Sequence, residues 1–581
     1  MSRNPELSPV LLLGAGTGEA TCGILYLAGY LRRGGIEAYV RLQDDDVFEK
    51  DMVRSLGALV ARVRPRLVGI SLKWFHHVHR ALTMARILRK IDPTLRIVLG
   101  GNSATHWWRE LLAFDCIDDV VLGDGEAPLL ALCRGEPEPP NHATRAMRNG
   151  PRPKLSYVQG LRNSDEAYYS HFDDIFLSHR DRHAFSGWVA PGKGCAESCM
   201  YCAGARKNQQ SDFGRVNPFL REPESVRRDH VEIAPRTWQL RYDFSGSSVE
   251  FLQSGWAGVD LSAHSCTYFL WGVPQVGLID ALARAFAQVH VIIDVGCFSE
   301  AQRLGLIGRG ILKNCASDAD IFKLVDECRR YDTLDIEIAG IAGLPSANAA
   351  TLREEVRLVE RVLKLDCVLG YQRLEAQPGA LVTDQPERFD MRSEARTFEE
   401  FRTYFSRREP GADDVPMVRF ADAALEAEVQ RTADHVGGLM SAKARAQERK
   451  NRVDGTTKLQ NTTQSTQRYS LGAWLGPDRV APGLASEPVT VVRSVNGAEI
   501  VCAPTVGARR AVDPTIEQGE TARLLLSTLG AFAAPTPVAR AVKQLGVTAR
   551  LDADAVHEAV EHLVAGRFLE RAEGSHAPRR A

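Results

Sequence analysis

Two long stretches of the sequence alternate short β-rich runs with amphipathic helix patterns, and this alternation limits the fold more than any other feature. The first stretch covers residues 9–135 and the second covers about 185–380. Regular alternation of strand and helix favours parallel sheets with crossover helices over an all-helical or all-β fold. The sequence therefore predicts an α/β multidomain protein with ligands at the carboxyl ends of its strands.

The chain has 581 residues, too many for one hydrophobic core, so three or four domains are expected. Segments that lack periodicity and are rich in Pro, Arg or small polar residues mark the linkers. The assignment is a Rossmann-like domain at 1–136, a linker at 137–184, a partial (β/α) barrel at 185–400, a helical extension at 401–454, a polar linker at 455–470 and an α+β winged-helix-like domain at 471–581.

The last of these domains opens with a hairpin signal, in which VTVVRSV and AEIVCAP flank the turn dipeptide Asn496-Gly497. Three short helix patterns follow, and GRFLER after them indicates the start of a wing. This order is typical of a winged helix.

Charge and hydropathy argue against several classes of partner. The chain has 72 basic and 73 acidic side chains, so no strong overall field attracts a polyanion. The apolar run near the N-terminus is short and ends in glycines, and no apolar stretch approaches the length that spans a membrane. We therefore expect a cytoplasmic protein without a nucleic-acid or membrane partner.

Three of the twelve cysteines are clustered, as Cys195, Cys199 and Cys202, and the other nine are expected to be isolated. The C-x3-C-x2-C spacing allows three thiolates to hold three irons of a [4Fe-4S] cluster and to leave the fourth iron open. The flanking glycines let the backbone approach a cluster and donate N–H groups to its sulfides, and they are Gly192, Gly194 and Gly204. Structural zinc, which needs a fourth ligand that the local sequence lacks, and three unrelated buried thiols are the alternatives.

The cysteine loop resembles the C-x3-C-x-aromatic-C signature of the radical S-adenosylmethionine (SAM) superfamily, with Tyr201 at the aromatic position. Two downstream segments are also similar to family motifs, AGIAGLPSANAATLREE at 339–355 and RLEAQPGALV at 373–382. In that family the amino and carboxylate groups of SAM chelate the open iron. The resemblance implies that Tyr201 lies near the adenine of SAM, and that three further residues lie near SAM: Gly343, Pro345 and Gln377.

Two positions depart from the family pattern. Where the family often has an acid after its second strand, VEFLQSG ends in Ser254 and Gly255. In DVGCFSE, residues 294–300, Gly296 replaces the ribose-binding glutamate. Asp294 is expected to substitute for it, because side chains two apart in a strand share a face. Ser254, Gly255 and Asp294 complete the expected SAM contacts.

Residues 10–135 resemble the cobalamin-binding domain that a large subclass of these enzymes carries before the barrel. TCGILYLAGYLRRGGIEAYV, LVGISL, IVLGGNSAT and VLGDGEAPLL stand in the order of that domain's motifs, and glycines at strand ends let a flat corrin lie against the backbone. The resemblance implies cobalamin contacts by Gly23, Ser71, Leu72, Lys73, Gly100, Gly101, Asn102, Gly123, Gly125 and Glu126. A dinucleotide site on Gly14-x-Gly16-x-Gly18 is the alternative, although Glu19 replaces the third glycine of that fingerprint.

No D-x-H-x-x-G motif is present, so the histidine that binds cobalt from below in other cobalamin proteins is absent, as is usual in this subclass. The loop LKWFHHVHR is expected to face the lower side of the corrin, which would be lined by Leu72, Lys73 and Trp74. Three histidines at the start of a helix are more often solvated than metal-bound. The alternative cobalt ligands are His76, His77 and His79.

The two resemblances together imply a class B radical SAM methyltransferase. One SAM would methylate cobalamin, and reductive cleavage of another would give a 5′-deoxyadenosyl radical. That radical would abstract hydrogen from an unactivated carbon of a secondary metabolite or peptide. The substrate carbon, or less often phosphorus, would then take the methyl group from methylcobalamin. A flavodoxin or ferredoxin-like protein is the expected electron donor. Relatives with both domains also catalyse cyclisation, ring contraction or rearrangement without methylation, and the sequence does not separate these reactions.

Two roles are open for the C-terminal domain within an enzyme. It resembles the peptide-recognition elements of enzymes that modify ribosomal peptides, and a packing or dimerisation domain is the alternative. A cobalamin-sensing regulator that binds DNA through this domain is a remote possibility, because DADAVHEAVEHLVAGRF carries more acidic than basic residues.

Overall fold

The structure is a computed structural model that describes residues 9–15, 18–41, 52–158, 187–234, 239–242, 247–272, 275–365, 367–375, 377–406 and 417–453, with short segments after residue 498. Two six-stranded sheets dominate these residues. Within the described ranges, no helix is long and apolar enough to cross a membrane.

The first sheet is built from the amino-terminal strands. These are β1 (Val10–Gly14), β2 (Ala38–Arg41), β3 (Leu67–Ser71), β4 (Arg96–Gly100), β5 (Asp119–Val121) and β6 (His142–Thr144), in the spatial order β2-β1-β3-β4-β5-β6. The first five strands are parallel, and β6 pairs antiparallel with β5. The strand order reverses between β1 and β3, which is the switch point where such sheets bind ligands at the carboxyl ends of their strands.

Helices cover both faces of this sheet, and β1 is therefore buried at every position. Val10 and Leu12 pack into one core, whereas Leu11 and Leu13 pack into another. The helices are α1 (Gly18–Arg33), α2 (Met52–Val63), α3 (Val78–Ile91), α4 (Asn102–His106), α5 (Trp108–Leu111) and α6 (Glu126–Cys133). The Rossmann-like α/β architecture expected from the sequence is confirmed.

The first sheet extends past the boundary expected at residue 136. The sequence assigns 137–184 to a linker, but residues 142–144 form β6, in which Ala143 pairs with Val120 of β5. Only Ala143 of this three-residue strand is buried, so the sequence carries no alternation that would reveal it. The amino-terminal sheet therefore includes residues as far as Thr144.

The second sheet follows the order of the chain. After β7 (Gly187–Trp188), a short antiparallel ladder of β8 (Gly192–Lys193) and β9 (Phe219–Leu220) stands apart. The sheet continues from β7 through β10 (Gln239–Tyr242), β11 (Ser265–Trp271), β12 (Gln288–Asp294), β13 (Leu334–Ala342) and β14 (Val368–Arg373), and every neighbouring pair is parallel. Six parallel strands in sequential order with helices between them form the partial (β/α) barrel that the sequence predicts.

The strands of the barrel alternate between a helix-facing core and the barrel interior. On β12, Val289, Val291 and Ile293 pack into the core with the helices, so the alternate residues, among them His290 and Asp294, face the interior. The helices of this part are α7 (Arg206–Phe213), α8 (Pro223–Ile233), α9 (Val249–Trp256), α10 (Leu278–Ala285), α11 (Glu300–Gly308), α12 (Asp318–Cys328), α13 (Ala349–Leu363) and α14 (Leu381–Asp384).

The segment after the barrel is helical with one small ladder. It contains β15 (Met391–Ser393), α15 (Phe398–Ser406), β16 (Val418–Phe420) and α16 (Ala423–Val453), in which β15 and β16 are antiparallel and α16 packs along α13. Farther on, β17 (Glu499–Val501) lies between β18 (Thr536–Pro537) and β19 (Glu570–Arg571) in an antiparallel sheet. The rest of the expected winged helix, including the Asn496-Gly497 turn, and the linker at 455–470 lie outside the described residues.

Candidate functional site

The three clustered cysteines lie in one loop between β8 and α7, on the carboxyl side of the first barrel strand. The amide of Glu197 donates to Cys195 Sγ at 3.4 Å, and the amide of Gly204 donates to Cys202 Sγ at 3.2 Å. Burial raises the pKa of the Cys202 thiol to about 11, so this group needs a positive partner in order to ionise. Amide donors on sulfur together with a demand for positive charge fit a metal cluster.

Among the residues that the structure describes, no three His, Cys, Asp or Glu side chains converge closely enough to hold one metal ion. The ten cysteines whose side chains the structure describes are all free thiols.

A buried ion pair stands beside the cysteine loop. Lys313 Nζ lies 2.5 Å from Asp294 Oδ2 at the end of β12 and 3.4 Å from the hydroxyl of Tyr201. Burial acts to lower the pKa of Lys313, but the carboxylate of Asp294 holds that pKa well above its usual value. Burial also raises the pKa of Tyr201 well above its usual value. Lys313, which the sequence motifs do not reveal, therefore supplies a fixed positive charge next to Tyr201.

The structure gives a steric reason for the departure at Gly296. Its φ is +74°, and a Cβ at this position would lie 3.0 Å from Leu312 Cδ2. A glutamate would therefore be strained there. The Gly296 amide donates instead to Asp294 Oδ1 at 2.8 Å, which fixes the carboxylate that the sequence proposes as a substitute.

Gln377 is tied directly to the cysteine loop. Its Oε1 accepts a hydrogen bond of 2.8 Å from the amide of Ala203, the residue after Cys202. Asn208 of α7 strengthens the same junction, because its Nδ2 donates to the carbonyls of Ala203 at 2.9 Å and Gly379 at 3.1 Å. The terminal motif of the barrel thus holds the carboxyl-terminal side of the loop.

Gly343 and Pro345 form a turn at the carboxyl end of β13. Gly343 has a φ of +78° and lies against Arg373 at the end of β14. The carbonyl of Pro345 accepts from Gln302 Nε2 at 3.0 Å, and the carbonyl of Leu344 accepts from the same amide at 2.7 Å. The turn is therefore fixed by α11, at the strand edge where barrels carry their chemistry.

The expectation that Ser254 and Gly255 end the second barrel strand is wrong. Both residues belong to α9, which Ser248 caps by accepting a hydrogen bond from the amide of Phe251 at 3.1 Å. Gly255 faces α8, where an added Cβ would lie 3.2 Å from Val226, and Ser254 is exposed. Neither residue lies at a strand end.

The second barrel strand is β10, which ends at Tyr242. In VEFLQSGW the buried positions Leu252, Gly255 and Trp256 follow a helical period, and a short apolar run of this kind is ambiguous between helix and strand. The residues that follow β10, 243–246, lie outside the described part of the chain.

Several expected cobalamin contacts stand together at the carboxyl ends of β3 and β4. Ser71 and Gly100 end these neighbouring strands, and Asn102 begins α4. Gly101 between them has a φ of +106°, and a Cβ there would lie 2.8 Å from the carbonyl oxygen of Leu72. Only glycine lets these two loops approach each other, which leaves backbone rather than bulky side chains at the edge.

The loop after β3 is only partly as expected. Leu72 is 0 % exposed within the core, so the expectation that its side chain lines a ligand surface is wrong. Lys73 and Trp74 are half-buried. Lys73 Nζ lies 5.4 Å from the ring centroid of Trp74 and 4.8 Å from that of Trp188 on β7, which links this loop to the barrel.

The three histidines of this loop differ in their surroundings. His76 and His79 are exposed, and the ring of His76 is tilted against Phe405 of α15. Burial, followed by the charges of His76 and Arg80, lowers the pKa of His77 to about 3. His77 is therefore neutral at physiological pH.

The remaining glycines expected to contact cobalamin lie along the same edge or on α1. Gly23 is exposed on α1, and an added Cβ would have no atom within 4 Å. Gly123 has a φ of +71°, and its amide donates to Thr105 Oγ1 at 2.9 Å. Gly125 precedes α6 and lies against Leu27.

Glu126 differs from the other residues expected to contact cobalamin. It is 4 % exposed, and its Oε1 accepts from Lys193 Nζ at 2.7 Å. Lys193 stands two positions before Cys195, so the last motif of the amino-terminal domain contacts the cysteine loop. No local sequence signal shows which cation Glu126 meets.

Comparisons with known proteins agree with this architecture. Residues 10–133 match the family model of the B12 binding domain, and no curated protein matches the sequence. The radical S-adenosylmethionine methyltransferase TsrM from Kitasatospora setae is similar in fold, at 16% identity, in two solved structures. The structure with cobalamin and a [4Fe-4S] cluster bound has a TM-score of 0.53, with 77% of this chain and 100% of that chain covered. The structure with tryptophan substrate and the SAM analogue aza-SAM bound has a TM-score of 0.51, with 68% of this chain and 79% of that chain covered.

These comparisons bear on two levels of the architecture. The family model covers the amino-terminal domain, and the similarity in fold extends over most of the chain. The expected cobalamin-binding domain is thereby confirmed, and the chain as a whole is similar in fold to a radical SAM methyltransferase.

Proposed function

We propose that this chain is a cobalamin-dependent radical SAM methyltransferase, which transfers a methyl group to an unactivated carbon, or phosphorus, of a secondary metabolite or peptide. The observation that carries the proposal is the contact between the cysteine loop and the ligand edge of the first sheet, made by Lys193 and Glu126. Two cofactors that share one substrate must face a common space, and this contact supports such an arrangement.

Each cofactor has its own set of residues in this proposal. When bound to these residues, the cluster would pass an electron from an external reductant to SAM, and cobalamin would carry the methyl group. The cluster is held by Cys195, Cys199 and Cys202. The residues around SAM are Tyr201, Asp294, Gly343, Pro345 and Gln377. The residues around cobalamin are Gly23, Ser71, Lys73, Gly100, Gly101, Asn102, Gly123 and Gly125.

The ion pair of Lys313 and Asp294 orients the SAM site in this scheme. Asp294 accepts from Lys313 through Oδ2 and from the Gly296 amide through Oδ1, so its carboxylate is held in one position. The free lone pairs of a fixed carboxylate suit the hydroxyl groups of a ribose. Lys313 Nζ also lies 3.4 Å from the hydroxyl of Tyr201, so the same cation helps to position the ring that the proposal places near the adenine of SAM.

The barrel interior offers a lining for the substrate. Arg241 of β10 lies between Trp188 and Phe269, with its guanidinium carbon 4.9 Å from both ring centroids. Aromatic faces and a cation favour a planar substrate or one that carries a carboxylate. One solved structure of TsrM contains a tryptophan substrate, and we propose a small molecule of comparable size, or a peptide side chain, as the substrate of this chain.

Anaerobic reconstitution tests the assignment of the cofactors. The wild-type protein is expected to bind about four irons and an equal amount of sulfide per chain, and to bind cobalamin with or without the cluster. Cys199→Ala should lose the cluster and keep cobalamin binding. A wild-type protein that binds neither group would contradict the proposal.

A second experiment separates methylation from rearrangement. The reconstituted protein is supplied with SAM that carries deuterium in its methyl group, with a reductant and with extract of cells that lack the protein. A metabolite or peptide heavier by a deuterated methyl group supports methyl transfer. Consumption of a metabolite without incorporation of deuterium would support a rearrangement instead.

A further inference from the structure

Two carboxylates of the amino-terminal domain, Asp124 and Glu126, contact cations on both sides of the cysteine loop. Glu126 Oε1 lies 2.7 Å from Lys193 Nζ, and Asp124 Oδ1 lies 3.7 Å from the same nitrogen. Asp124 Oδ1 also accepts a short hydrogen bond from Arg215 Nη2. Lys193 ends β8 before the loop and Arg215 stands two positions after the end of α7, so one short segment of the first domain pairs with cations on both sides of the cysteines.

The Arg215 side reaches Cys202 through a chain of hydrogen bonds. Arg215 Nη1 donates to Gln209 Oε1 at 2.9 Å, and Gln209 Nε2 donates to the carbonyl of Gly204 at 3.1 Å. The amide of Gly204 in turn donates to Cys202 Sγ at 3.2 Å. Asp124 is thereby connected to the sulfur of a cysteine through two side chains and one backbone unit.

The Lys193 side reaches Cys195 through the backbone. Only Gly194, which has a φ of +92°, separates Lys193 from Cys195. A Cβ at Gly194 would lie 3.0 Å from Pro218 Cα and 3.6 Å from Arg215 Cδ, so the two sides of the loop are packed against each other at this glycine. A displacement of Lys193 would therefore displace Cys195 as well.

Burial makes these ion pairs specific. The side chains of Asp124, Glu126 and Arg215 are 6%, 5% and 9% exposed, and that of Lys193 is 18% exposed. A buried charge is tolerated when a partner of opposite sign is in place, so each carboxylate favours one position of its cation. Exposed surface pairs do not restrict their partners in this way.

We propose that Asp124 and Glu126 form an electrostatic latch through which the cobalamin-binding domain holds the cysteine loop from both sides, at Lys193 before the loop and at Arg215 beyond α7. Both are positioning residues for the cluster ligands. Glu126 is therefore not a contact of cobalamin, although the sequence motif implies that role for it. The inference rests on the proposed function, because it requires that Cys195, Cys199 and Cys202 hold a cluster.

The test is a double-mutant cycle on the reconstituted full-length protein, with Glu126→Gln, Lys193→Gln and both together. The measured quantity is the half-life of the cluster under an iron chelator in the absence of oxygen. Each single variant should shorten the half-life by about fivefold, and the double variant should be no worse than either, because the partners act as one unit. A second cycle with Asp124→Asn and Arg215→Gln should behave in the same way.

Asp119→Asn is the matched control for loss of a buried carboxylate. Asp119 pairs with Arg96 and His142 inside the first domain, each at 2.6 Å, and contacts no residue of the loop in those pairs. This variant should keep the wild-type half-life. The affinity of the cluster-free Glu126→Gln protein for hydroxocobalamin should stay within about twofold of wild type, which also shows that the domain folds.

Three kinds of result would contradict the latch. Unchanged half-lives in the Glu126 and Asp124 variants, or losses that add up in the double variants, would overturn the latch. A large loss of cobalamin affinity in Glu126→Gln with an unchanged half-life would return Glu126 to the cobalamin site and also overturn it. A wild-type protein that takes up no cluster at all would instead overturn the proposed function, and the latch with it.

Discussion

Lys313, which is buried, and Asp294, which is half-buried, form an ion pair with 2.5 Å between Nζ and Oδ2 at the carboxyl end of the fourth strand of the barrel. The Lys313 side chain is 7% exposed and that of Asp294 is 25% exposed. The pair borders Tyr201, which follows two of the three clustered cysteines. Its position makes it the electrostatic centre of the proposed SAM site.

Lys313→Met should destabilise the protein, because it leaves the Asp294 carboxylate without its cation. Removal of one partner of a fully buried pair costs about 3 kcal/mol in the free energy of unfolding, and the partial exposure of Asp294 lowers the expected cost to about 2 kcal/mol. Lys207→Met is the control, since Lys207 is 67% exposed and lies 3.9 Å from Asp384. Urea unfolding of the cluster-free proteins measures the difference. Equal stability of the two variants would show that the pair has no structural role.

Gln377→Leu should weaken SAM binding through the cysteine loop. The Ala203 amide would lose its acceptor, and a hydrogen bond of this kind contributes about 1 kcal/mol, or roughly fivefold in affinity. Gln377→Glu keeps an acceptor oxygen and should restore most of the binding. Calorimetric titration of the reconstituted proteins with SAM checks this, with Gln385→Leu as the control. If Gln377→Leu and Gln377→Glu bind SAM with the same affinity, the hydrogen bond is not what positions the loop.

Because of Glu355, the free energy of unfolding should fall as the pH rises from about 4.5 to about 7. Burial raises the pKa of this carboxyl from 4.5 to about 7, while a hydrogen bond from Tyr371 acts in the opposite direction. The folded state therefore binds a proton more tightly than the unfolded state. The stabilising contribution is complete below the unfolded pKa and is lost as the pH rises through the folded pKa, a loss of about 3 kcal/mol.

Glu355→Gln isolates this effect, because a neutral amide has no proton to lose. The difference in urea midpoint between wild type and Glu355→Gln should move in favour of the variant from pH 5 to pH 7.5. Glu360→Gln removes a carboxylate from the exposed face of the same helix and serves as the control. A difference that does not change with pH would contradict the raised pKa.

Gly23→Ala should stabilise the free protein and weaken its binding to cobalamin. Gly23 lies within α1 with no atom within 4 Å of an added Cβ, and alanine in a helix interior is favoured over glycine by about 1 kcal/mol. Gly57 in α2 has equally open surroundings and is the matched control. Gly57→Ala should gain the same stability and bind hydroxocobalamin as wild type does. If both variants bind equally well, Gly23 does not face the corrin.

The sequence predicts the fold best where a strand pattern is long and where glycines mark the strand ends that form the ligand edge of a sheet. The pattern of LDIEIAG gives β13, and IVLGG gives the end of β4 and Gly101, whose positive φ requires glycine. Strand ends and glycine positions are local properties, so they can be found without knowledge of the rest of the fold. The motif of the cysteine loop is also local, so it too can be found from the sequence alone.

The residues that the sequence misses depend on partners far away in the chain. Lys313 is 19 positions from Asp294, Lys193 is 67 from Glu126, and Arg215 is 91 from Asp124. None of these pairs leaves a local pattern, because the fold alone brings the partners together. Ser254 and Gly255 fail for another reason, since a short apolar run with one small residue suits the buried stripe of a helix as well as a strand.

The most direct test of the central claim is to incubate the reconstituted protein with SAM, cobalamin and a low-potential reductant, and to measure 5′-deoxyadenosine and methylcobalamin by mass spectrometry. We predict that both products form with the wild-type protein and that Cys199→Ala forms no 5′-deoxyadenosine. The absence of both products from a wild-type protein that carries its cluster and cobalamin would contradict the assignment as a cobalamin-dependent radical SAM methyltransferase.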